Sequence, residues 1–284
     1  MKYAYYPGCS LHSTASEYDL STRAVCKELG IELEEIPDWN CCGATSAHSL
    51  NRRLSVALPL RNLAKAEAMG LDVVAPCAAC FNRLKSADAA VKDNPELLES
   101  IGMDYKGSVN VLSLLAAISQ IDEETIKSHI KRELSGLKVA SYYGCLLLRP
   151  PDLINFDDAE NPQSLDKLMT AVGAEAVTWP YKTECCGASL SISKSDVVIK
   201  LTHDILSMAK RGGANCIVTA CPLCQGNLDM RQADVEAKYG EKFDMPIFYF
   251  TQLMGMAFGL WAGNLGLNKL MVDPDAVLAE IGSK

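Results

Sequence analysis

The sequence predicts an α/β protein made of two duplicated, pseudo-symmetric halves with mostly parallel strands. The first observation is a repeat, because the sequence Cys-Cys-Gly-Ala at residues 41–44 recurs at residues 185–188. The second is that short apolar strands alternate with helical patterns that end at glycine, which is typical of parallel α/β folds. Functional loops gather at the carboxyl ends of parallel strands, so we expect the cysteine loops of each half to meet at one edge.

The predicted elements follow the same order in both halves. In the first half, strands are predicted at 2–6, 31–36, 71–75 and 109–112, and helices at 16–29, 54–69, after Cys80 and at 114–118. In the second half, strands are predicted at 138–142, 176–180, 216–220 and 247–250, and helices at 164–172, 197–211 and from 253 onward. We therefore predict a first domain at 1–120, a connecting helix at 121–137 and a second domain at 138–284.

Each copy of the repeat contains five cysteines in the same order. Corresponding cysteines of the central and last motifs lie 144 positions apart, whereas the first cysteines of the two copies lie 136 apart. The first set is Cys9, Cys41, Cys42, Cys77 and Cys80, and the second is Cys145, Cys185, Cys186, Cys221 and Cys224. Agreement in residue type, order and spacing indicates a duplication.

Composition and charge exclude several classes of function. The formal net charge is −8 and no run of lysine and arginine is interleaved with aromatic residues, which argues against a nucleic-acid partner. The uncharged segment 247–263 is short for a membrane span, so a buried strand followed by a buried helix is the favoured interpretation over a membrane helix. The N-terminus shows no apolar signal region, which predicts a reducing, cytoplasmic location. There, clustered cysteines indicate metal ligands or catalysts.

Five cysteines in one site exceed what one common metal centre requires. Structural zinc sites and cubane iron–sulfur clusters each take four thiolates. We expect the side chains of adjacent cysteines to point apart, so that Cys41 and Cys42 bind different irons of a larger or less regular cluster. Two zinc sites, or redox disulfides formed by the Cys-x-x-Cys pairs, remain the alternatives.

The two cysteine sets, with their Gly-Cys leads and Cys-Cys-Gly centres, resemble the CCG cysteine-rich domain family. Within that family the pattern is most similar to the B subunit of heterodisulfide reductase (HdrB), which reduces the coenzyme M–coenzyme B disulfide in methanogens. The resemblance covers nearly the whole chain. It implies two noncubane [4Fe-4S] clusters, one on each set of five cysteines named above. The same signature occurs in subunits of lactate, glycolate, glycerol-3-phosphate and succinate oxidoreductases.

The resemblance also implies partners and a reaction. We expect a cytoplasmic catalytic subunit that reduces a disulfide of two thiol coenzymes, a small thiol or disulfide substrate. Its expected partners are a small, HdrC-like iron–sulfur subunit and a flavin-bearing, HdrA-like subunit. The chain has no glycine-rich dinucleotide fingerprint after a strand, so electrons must come from a partner. The rival hypotheses are an electron-transfer subunit of a quinone- or flavin-linked oxidoreductase and a structural zinc-binding module.

A few other residues lie close to the motifs. Cys26 and Cys216 fall outside the repeat, and we assign them to core packing because free cysteine behaves as a small hydrophobe. Polar side chains near the motifs could contact an anionic thiol or donate a proton, although a solvated or structural role is the commoner one; they are His12, His48, Arg149 and Lys194. His48 is the preferred proton donor, because it follows the double cysteine by six residues.

Overall fold

The computed structural model describes residues 1–44 and 47–282, which form two four-stranded sheets with every strand parallel to its neighbours. The strands are β1 (Lys2–Tyr5), β2 (Glu32–Glu35), β3 (Val73–Ala75), β4 (Val111–Ser113), β5 (Lys138–Tyr142), β6 (Glu175–Ala176), β7 (Cys216–Thr219) and β8 (Ile247–Tyr249). Their orders, β2-β1-β3-β4 and β6-β5-β7-β8, are the same topology twice. The predicted α/β fold with two duplicated halves is confirmed.

Helices connect the strands in the order that the sequence predicts. In chain order they are α1 (Gly8–Leu11), α2 (Ser16–Glu28), α3 (Ala47–Leu50), α4 (Arg52–Met69), α5 (Ala78–Asp93), α6 (Pro95–Ile101), α7 (Leu114–Ile118), α8 (Glu123–Ser128), α9 (Pro151–Ile154), α10 (Ser164–Ala171), α11 (Ser195–Arg211), α12 (Pro222–Met230), α13 (Gln232–Tyr239), α14 (Phe250–Ala257) and α15 (Asp275–Leu278). Short 3₁₀ turns occupy Ala188–Leu190, Ala262–Asn264 and Leu267–Lys269.

The parallel register brings the cysteine loops to the same edge of each sheet. Cys9 follows β1 and Cys77 follows β3, while Cys145 follows β5 and Cys221 follows β7. The central strands are fully buried, as expected where helices cover both faces of a parallel sheet. Loops at the carboxyl ends of these strands therefore project the cysteines from a rigid scaffold.

The two halves pack on each other through a shared core. The Tyr18 ring of α2 stacks on Tyr249 of the second half, with centroids 4.1 Å apart and an interplanar angle of 4°. Beside this stack, the hydroxyls of Ser21 and Thr251 are 2.7 Å apart and fully buried. Buried apolar side chains of both halves belong to one continuous cluster, so the molecule has one core rather than two.

The connecting segment differs from its predicted form. The predicted helix at 121–137 is wrong in extent, because only Glu123–Ser128 is helical. Beyond it, the backbone N–H groups of Lys131 and Arg132 both donate to the Ala257 carbonyl, and Leu134 N–H donates to Val172. Hydrogen bonds to carbonyls of the second half thus take the place of the intrahelical bonds that a longer helix would have made. The boundaries at 1–120 and 138–284 remain predictions, and the last two positions lie outside the described residues.

The uncharged segment near the C-terminus folds as the favoured interpretation predicts. Residues 247–249 form the buried strand β8, which leads directly into α14, whose residues are buried except Met256. In the part of the chain that the structure describes, no helix has the length and apolar character needed to cross a bilayer.

Candidate iron–sulfur centres

The first cysteine of each set follows a sharp bend. Gly8 and Gly144 have φ angles of +69° and +67°, a region that L-residues with a Cβ rarely adopt. A Cβ added at Gly8 would lie 2.8 Å from Cys80 Sγ, and one at Gly144 would lie 3.1 Å from Cys224 Sγ. Glycine at these two positions therefore allows the backbone to approach the sulfur of the last cysteine.

The Cys-x-x-Cys pairs start two helices. Cys77 is the N-cap of α5 and Cys221 is the N-cap of α12, while Cys80 and Cys224 lie in the first turns. The N-terminal end of a helix carries partial positive charge and stabilises thiolates. This effect does not prevail at every position, because neighbouring thiols raise the pKa of Cys77, Cys80 and Cys224. Of these four cysteines, only Cys221 has a lowered pKa, and the Cys224 and Cys77 thiols lower it.

Sulfur atoms of each set lie close together in pairs. Sγ–Sγ distances are 3.4 Å for Cys42–Cys80 and 3.5 Å for the corresponding pair, Cys186–Cys224. Neighbouring thiols also shift one another's pKa in the pairs Cys9–Cys41, Cys41–Cys42, Cys77–Cys80 and Cys221–Cys224. Across the halves, the Cys221 thiol raises the pKa of Cys77, while the Cys224 and Cys77 thiols lower the pKa of Cys221. The remaining two cysteines, Cys145 and Cys185, are paired at 3.7 Å.

That the side chains of adjacent cysteines point apart stays a prediction. The Cys41 and Cys42 thiols interact, which lowers the pKa of Cys41 and raises the pKa of Cys42 to about 11. They do differ in burial, because Cys41 is exposed and Cys42 is buried, and Cys185 and Cys186 differ in the same way. The loop turns directly after each pair, at the positive-φ glycine Gly43 or Gly187.

The electrostatics mark the first cysteine of each Cys-Cys pair as an ionised ligand. Donation by the Cys42 and Cys9 thiols lowers the pKa of Cys41 well below its usual range. Donation by the Cys145 thiol, with help from the Gly187 N–H, lowers the pKa of Cys185 to about 6. The same contacts raise the pKa of Cys9 and Cys145. Each half thus offers an exposed thiolate, the form of cysteine that binds metal.

Sequence reasoning missed a tyrosine at the back of each cysteine set. The Tyr6 hydroxyl donates to the Asn40 carbonyl at 2.7 Å, and the Tyr142 hydroxyl donates to the Glu184 carbonyl at 2.6 Å. Both rings are fully buried, and both carbonyls directly precede the Cys-Cys pair. The available signal was spacing, because Tyr6 and Tyr142 are 136 positions apart, as are Cys9 and Cys145.

The residues present fit an iron–sulfur cluster. All twelve cysteines are free thiols, and ten of them line the two strand-end edges. Among residues 1–44 and 47–282, no three cysteine, histidine or carboxylate side chains are placed to hold a metal ion. Soft thiolates beside glycine bends and helix N-termini suit iron–sulfur ligation.

The other predicted residues lie at the edge of this arrangement or away from it. His48 is exposed on α3 and its Nε2 is 3.4 Å from Ser49 Oγ. His12 is tied to Glu35 and packs edge-on against Trp39. Arg149 contacts Glu160 and Thr183, and Lys194 is an exposed helix cap. Cys26 and Cys216 are buried in the core, consistent with packing roles.

Comparison with known proteins assigns the family. The profile of the CCG cysteine-rich domain matches residues 3–85 and again residues 139–229. The chain belongs to the CCG cysteine-rich domain family. Both matches contain the full five-cysteine set of their half, so the duplicated CCG pattern and the family agree.

Similar proteins are subunits of reductase complexes. The chain is 38% identical, over 96% of its length and 97% of the relative, to the 8-methylmenaquinol:fumarate reductase membrane anchor subunit of Wolinella succinogenes. It is 30% identical, over 99% of its length and 97% of the relative, to the B subunit of the ferredoxin/F420H2-dependent CoB-CoM heterodisulfide reductase of Methanosarcina acetivorans. The similarity to the B subunit of heterodisulfide reductase is thereby confirmed, and the chain is an iron–sulfur subunit of a reductase-like complex.

A solved structure shares the fold. A hypothetical protein from Helicobacter pylori superimposes with a TM-score of 0.77 at 13% sequence identity. The match covers 95% of this chain and 52% of that one, so this chain spans about half the length of that protein. At this level of identity the likeness shows the α/β architecture alone.

Proposed function

We propose that this chain is the catalytic iron–sulfur subunit of a heterodisulfide reductase-like complex and reduces a disulfide of two thiol coenzymes. The cofactors would be two noncubane [4Fe-4S] clusters. Cys9, Cys41, Cys42, Cys77 and Cys80 would hold the first, and Cys145, Cys185, Cys186, Cys221 and Cys224 the second. We further propose a cytoplasmic location and two partners, a small iron–sulfur subunit and a flavin-bearing subunit.

The observation that carries this proposal is the approach of the two cysteine sets across the halves. Asn82, two residues after the last cysteine of the first set, donates to the carbonyl of Leu146, directly after Cys145, at 3.2 Å. The buried thiols of Cys77 and Cys221 shift the pKa of each other. Two independent relay centres would not need cysteine sets that approach each other across the pseudo-symmetric interface. A disulfide presents two sulfurs about 2.05 Å apart, so a substrate cleaved by both halves requires two centres this close.

The reaction needs two electrons and two protons for each disulfide, and it releases two thiols. When bound, the two clusters would supply one electron each and avoid the release of a free thiyl radical. The protein's own part is to hold the cysteine loops at one interface. His48 is the proposed proton donor because it is exposed and lies on the short helix that follows the first Cys-Cys-Gly loop.

The direct test is turnover of the anaerobically purified protein with reduced methyl viologen and a mixed disulfide of two thiol coenzymes. The proposal predicts two oxidised viologens and two free thiols for each disulfide consumed. His48→Gln should lower this turnover, whereas His12→Gln should not, since His12 is held by Glu35 and Trp39. Viologen-reducible iron without any thiol release would overturn the proposal.

The second candidate function is an electron relay in a quinone-linked complex. The relative from Wolinella succinogenes, at 38% identity, is named for an 8-methylmenaquinol:fumarate reductase, and that observation favours the relay. In this case the chain would pass electrons between a quinone or flavin partner and another subunit. The complex isolated with its partners separates the candidates. If the chain is a relay, a menaquinol analogue should reduce the clusters, and the added disulfide should not be consumed.

A further inference from the structure

The carbonyl group before the Cys-Cys pair is held differently in the two halves. In the first half, the Asn40 carbonyl accepts from the Tyr6 hydroxyl at 2.7 Å and from Asn62 Nδ2 at 3.0 Å. In the second half, the Glu184 carbonyl accepts from the Tyr142 hydroxyl at 2.6 Å. Within the described ranges, no second donor reaches the Glu184 carbonyl. The carbonyl before the first pair therefore has two donors, and the carbonyl before the second pair has one.

The difference arises from one pair of equivalent positions. Asn62 is fully buried on α4, and its Oδ1 also accepts from the Asn40 N–H at 2.9 Å. The position 144 residues later, on α11, is Leu206, which is equally buried but has no polar atom in its side chain. Asparagine and leucine have similar shapes, so this position changes the hydrogen bonding of the loop while keeping its packing.

The second half has other contacts, farther upstream and at the pair itself, where Asn227 Nδ2 donates to the Cys186 carbonyl at 3.0 Å. The N–H groups of Tyr143 and Gly144 donate to the Lys182 carbonyl at 2.8 and 3.1 Å. Lys182 itself is buried and bonded to Asp166 at 2.9 Å. These bonds fix the chain at Lys182, three residues before Cys185. Between Lys182 and Cys185, the hydrogen bond from the Tyr142 hydroxyl to the Glu184 carbonyl holds the main chain.

We propose that Tyr6 and Tyr142 are positioning residues for the two centres, and that the segment directly before Cys185, held at Glu184 by Tyr142 alone, loosens more readily than the segment directly before Cys41. The inference rests on the proposed function, because it assumes that each set of cysteines holds a cluster. Burial raises the pKa of both tyrosines, so both hydroxyls remain protonated hydrogen-bond donors. Phenylalanine at either position keeps the ring and removes only the donor.

The test is the rate at which a chelator removes iron from the anaerobic protein. Loss of one hydrogen bond predicts a roughly two- to tenfold faster release of the second centre's iron in Tyr142→Phe. Tyr6→Phe should leave the release rate almost unchanged, because Asn62 still holds the Asn40 carbonyl. Tyr6→Phe combined with Asn62→Leu leaves the first half as the second half is in Tyr142→Phe, with no donor to the carbonyl, and should accelerate release from the first centre.

A spectroscopic signature separates positioning from general loss of stability. Tyr142→Phe should change the EPR signal of the second centre and leave that of the first intact, with Cys185→Ser used to assign the signals. Tyr105→Phe is the control, since it removes a buried hydroxyl that donates to Asp88, outside the cysteine sets. It should leave both signals and both release rates unchanged.

Two results would overturn the inference. Equal acceleration by Tyr6→Phe and Tyr142→Phe would show that Asn62 does not hold the first loop. No change of rate or EPR signal in Tyr142→Phe would show that the tyrosines do not position the loops. Both results presuppose a wild-type protein that contains iron and sulfide, so they differ from failure of the proposed function, in which the wild type itself would hold no cluster.

Discussion

The first half and the second half of the molecule present the same cysteines from the same strand ends, yet they support them with different contacts. In the first half, Cys9 is exposed on the short helix α1. In the second half, Cys145 is half-buried, and the carbonyls of Leu146 and Arg149 accept from Asn82 of the first half at 3.2 and 2.8 Å. The second lead loop thus depends on the first half.

This comparison shows which features the duplication keeps. Both halves keep the five sulfurs, the glycine bend before the lead cysteine and the tyrosine behind the Cys-Cys pair. They differ in the side chains that surround these features, such as Asn62 and Leu206. The shared features define the centre, and the differences make the halves unequal partners. The predictions below test that view, from the largest expected effect to the smallest.

Removing one ligand from either half should have the largest effect. Cys41→Ser and Cys185→Ser each damage one centre, and each should lower disulfide turnover by orders of magnitude if the halves act on one substrate together. The other centre should survive by EPR in both variants. Turnover assays on the two variants, with iron analysis, provide the measurement. About half of wild-type turnover in either variant would mean that each half works alone.

Alanine at the two glycine bends should have a smaller effect, and an unequal one. Gly8→Ala adds a Cβ 2.8 Å from Cys80 Sγ, whereas Gly144→Ala places it 3.1 Å from Cys224 Sγ. Both also strain a positive φ, at a cost of roughly 1–3 kcal/mol. Thermal unfolding of the iron-loaded protein should therefore show Gly8→Ala as the less stable variant, with loss of iron from the first centre.

Two other glycines separate the cost of backbone strain from the cost of the close approach to sulfur. Gly70 and Gly213 have φ angles of +67° and +81°, and a Cβ at either would meet no atom within 4 Å. Gly70→Ala and Gly213→Ala should lower the unfolding temperature through backbone strain alone and retain all their iron. If they lose as much iron as Gly8→Ala, the close approach to the cysteine sulfur is not what matters.

The cysteines outside the repeat should matter least. Cys26 and Cys216 are buried, and burial raises the pKa of Cys26 to about 12, which keeps it a neutral thiol. Cys26→Ala and Cys216→Ala should each cost about 1–2 kcal/mol in the free energy of unfolding. Both variants should keep wild-type iron content and EPR signals. Loss of iron in either one would identify an additional ligand.

Much of the fold could be predicted because each element carries a local signal. The glycine that ends α4, at Gly70, and the apolar run of β3 fix their own positions in the sequence. The helix predicted at 121–137 failed because its end is set by a distant carbonyl, Ala257, which no local pattern reveals. The residues 178–180, predicted as strand, form none, since β6 pairs only at Glu175 and Ala176.

The candidate site was predictable in its ligands but not in its support. The repeat of five cysteines identifies the sulfurs, and parallel strand ends explain why they meet. The approach of the two cysteine sets, as in the bond from Asn82 to the Leu146 carbonyl, depends on how the halves pack, for instance through the stack of Tyr18 on Tyr249. The role of Asn62 depends on one helix facing one loop, 22 residues away in sequence. Such contacts depend on the three-dimensional packing and cannot be predicted from the local sequence.

The most direct test of the central claim is iron and acid-labile sulfide analysis of the anaerobically purified protein. Two clusters on ten thiolates predict about eight irons and about eight sulfides per chain. The Cys41→Ser and Cys185→Ser variants should each retain about half of both, one centre remaining in each. Two zinc ions per chain with no labile sulfide would contradict the account, because the cysteine sets would then be structural zinc sites.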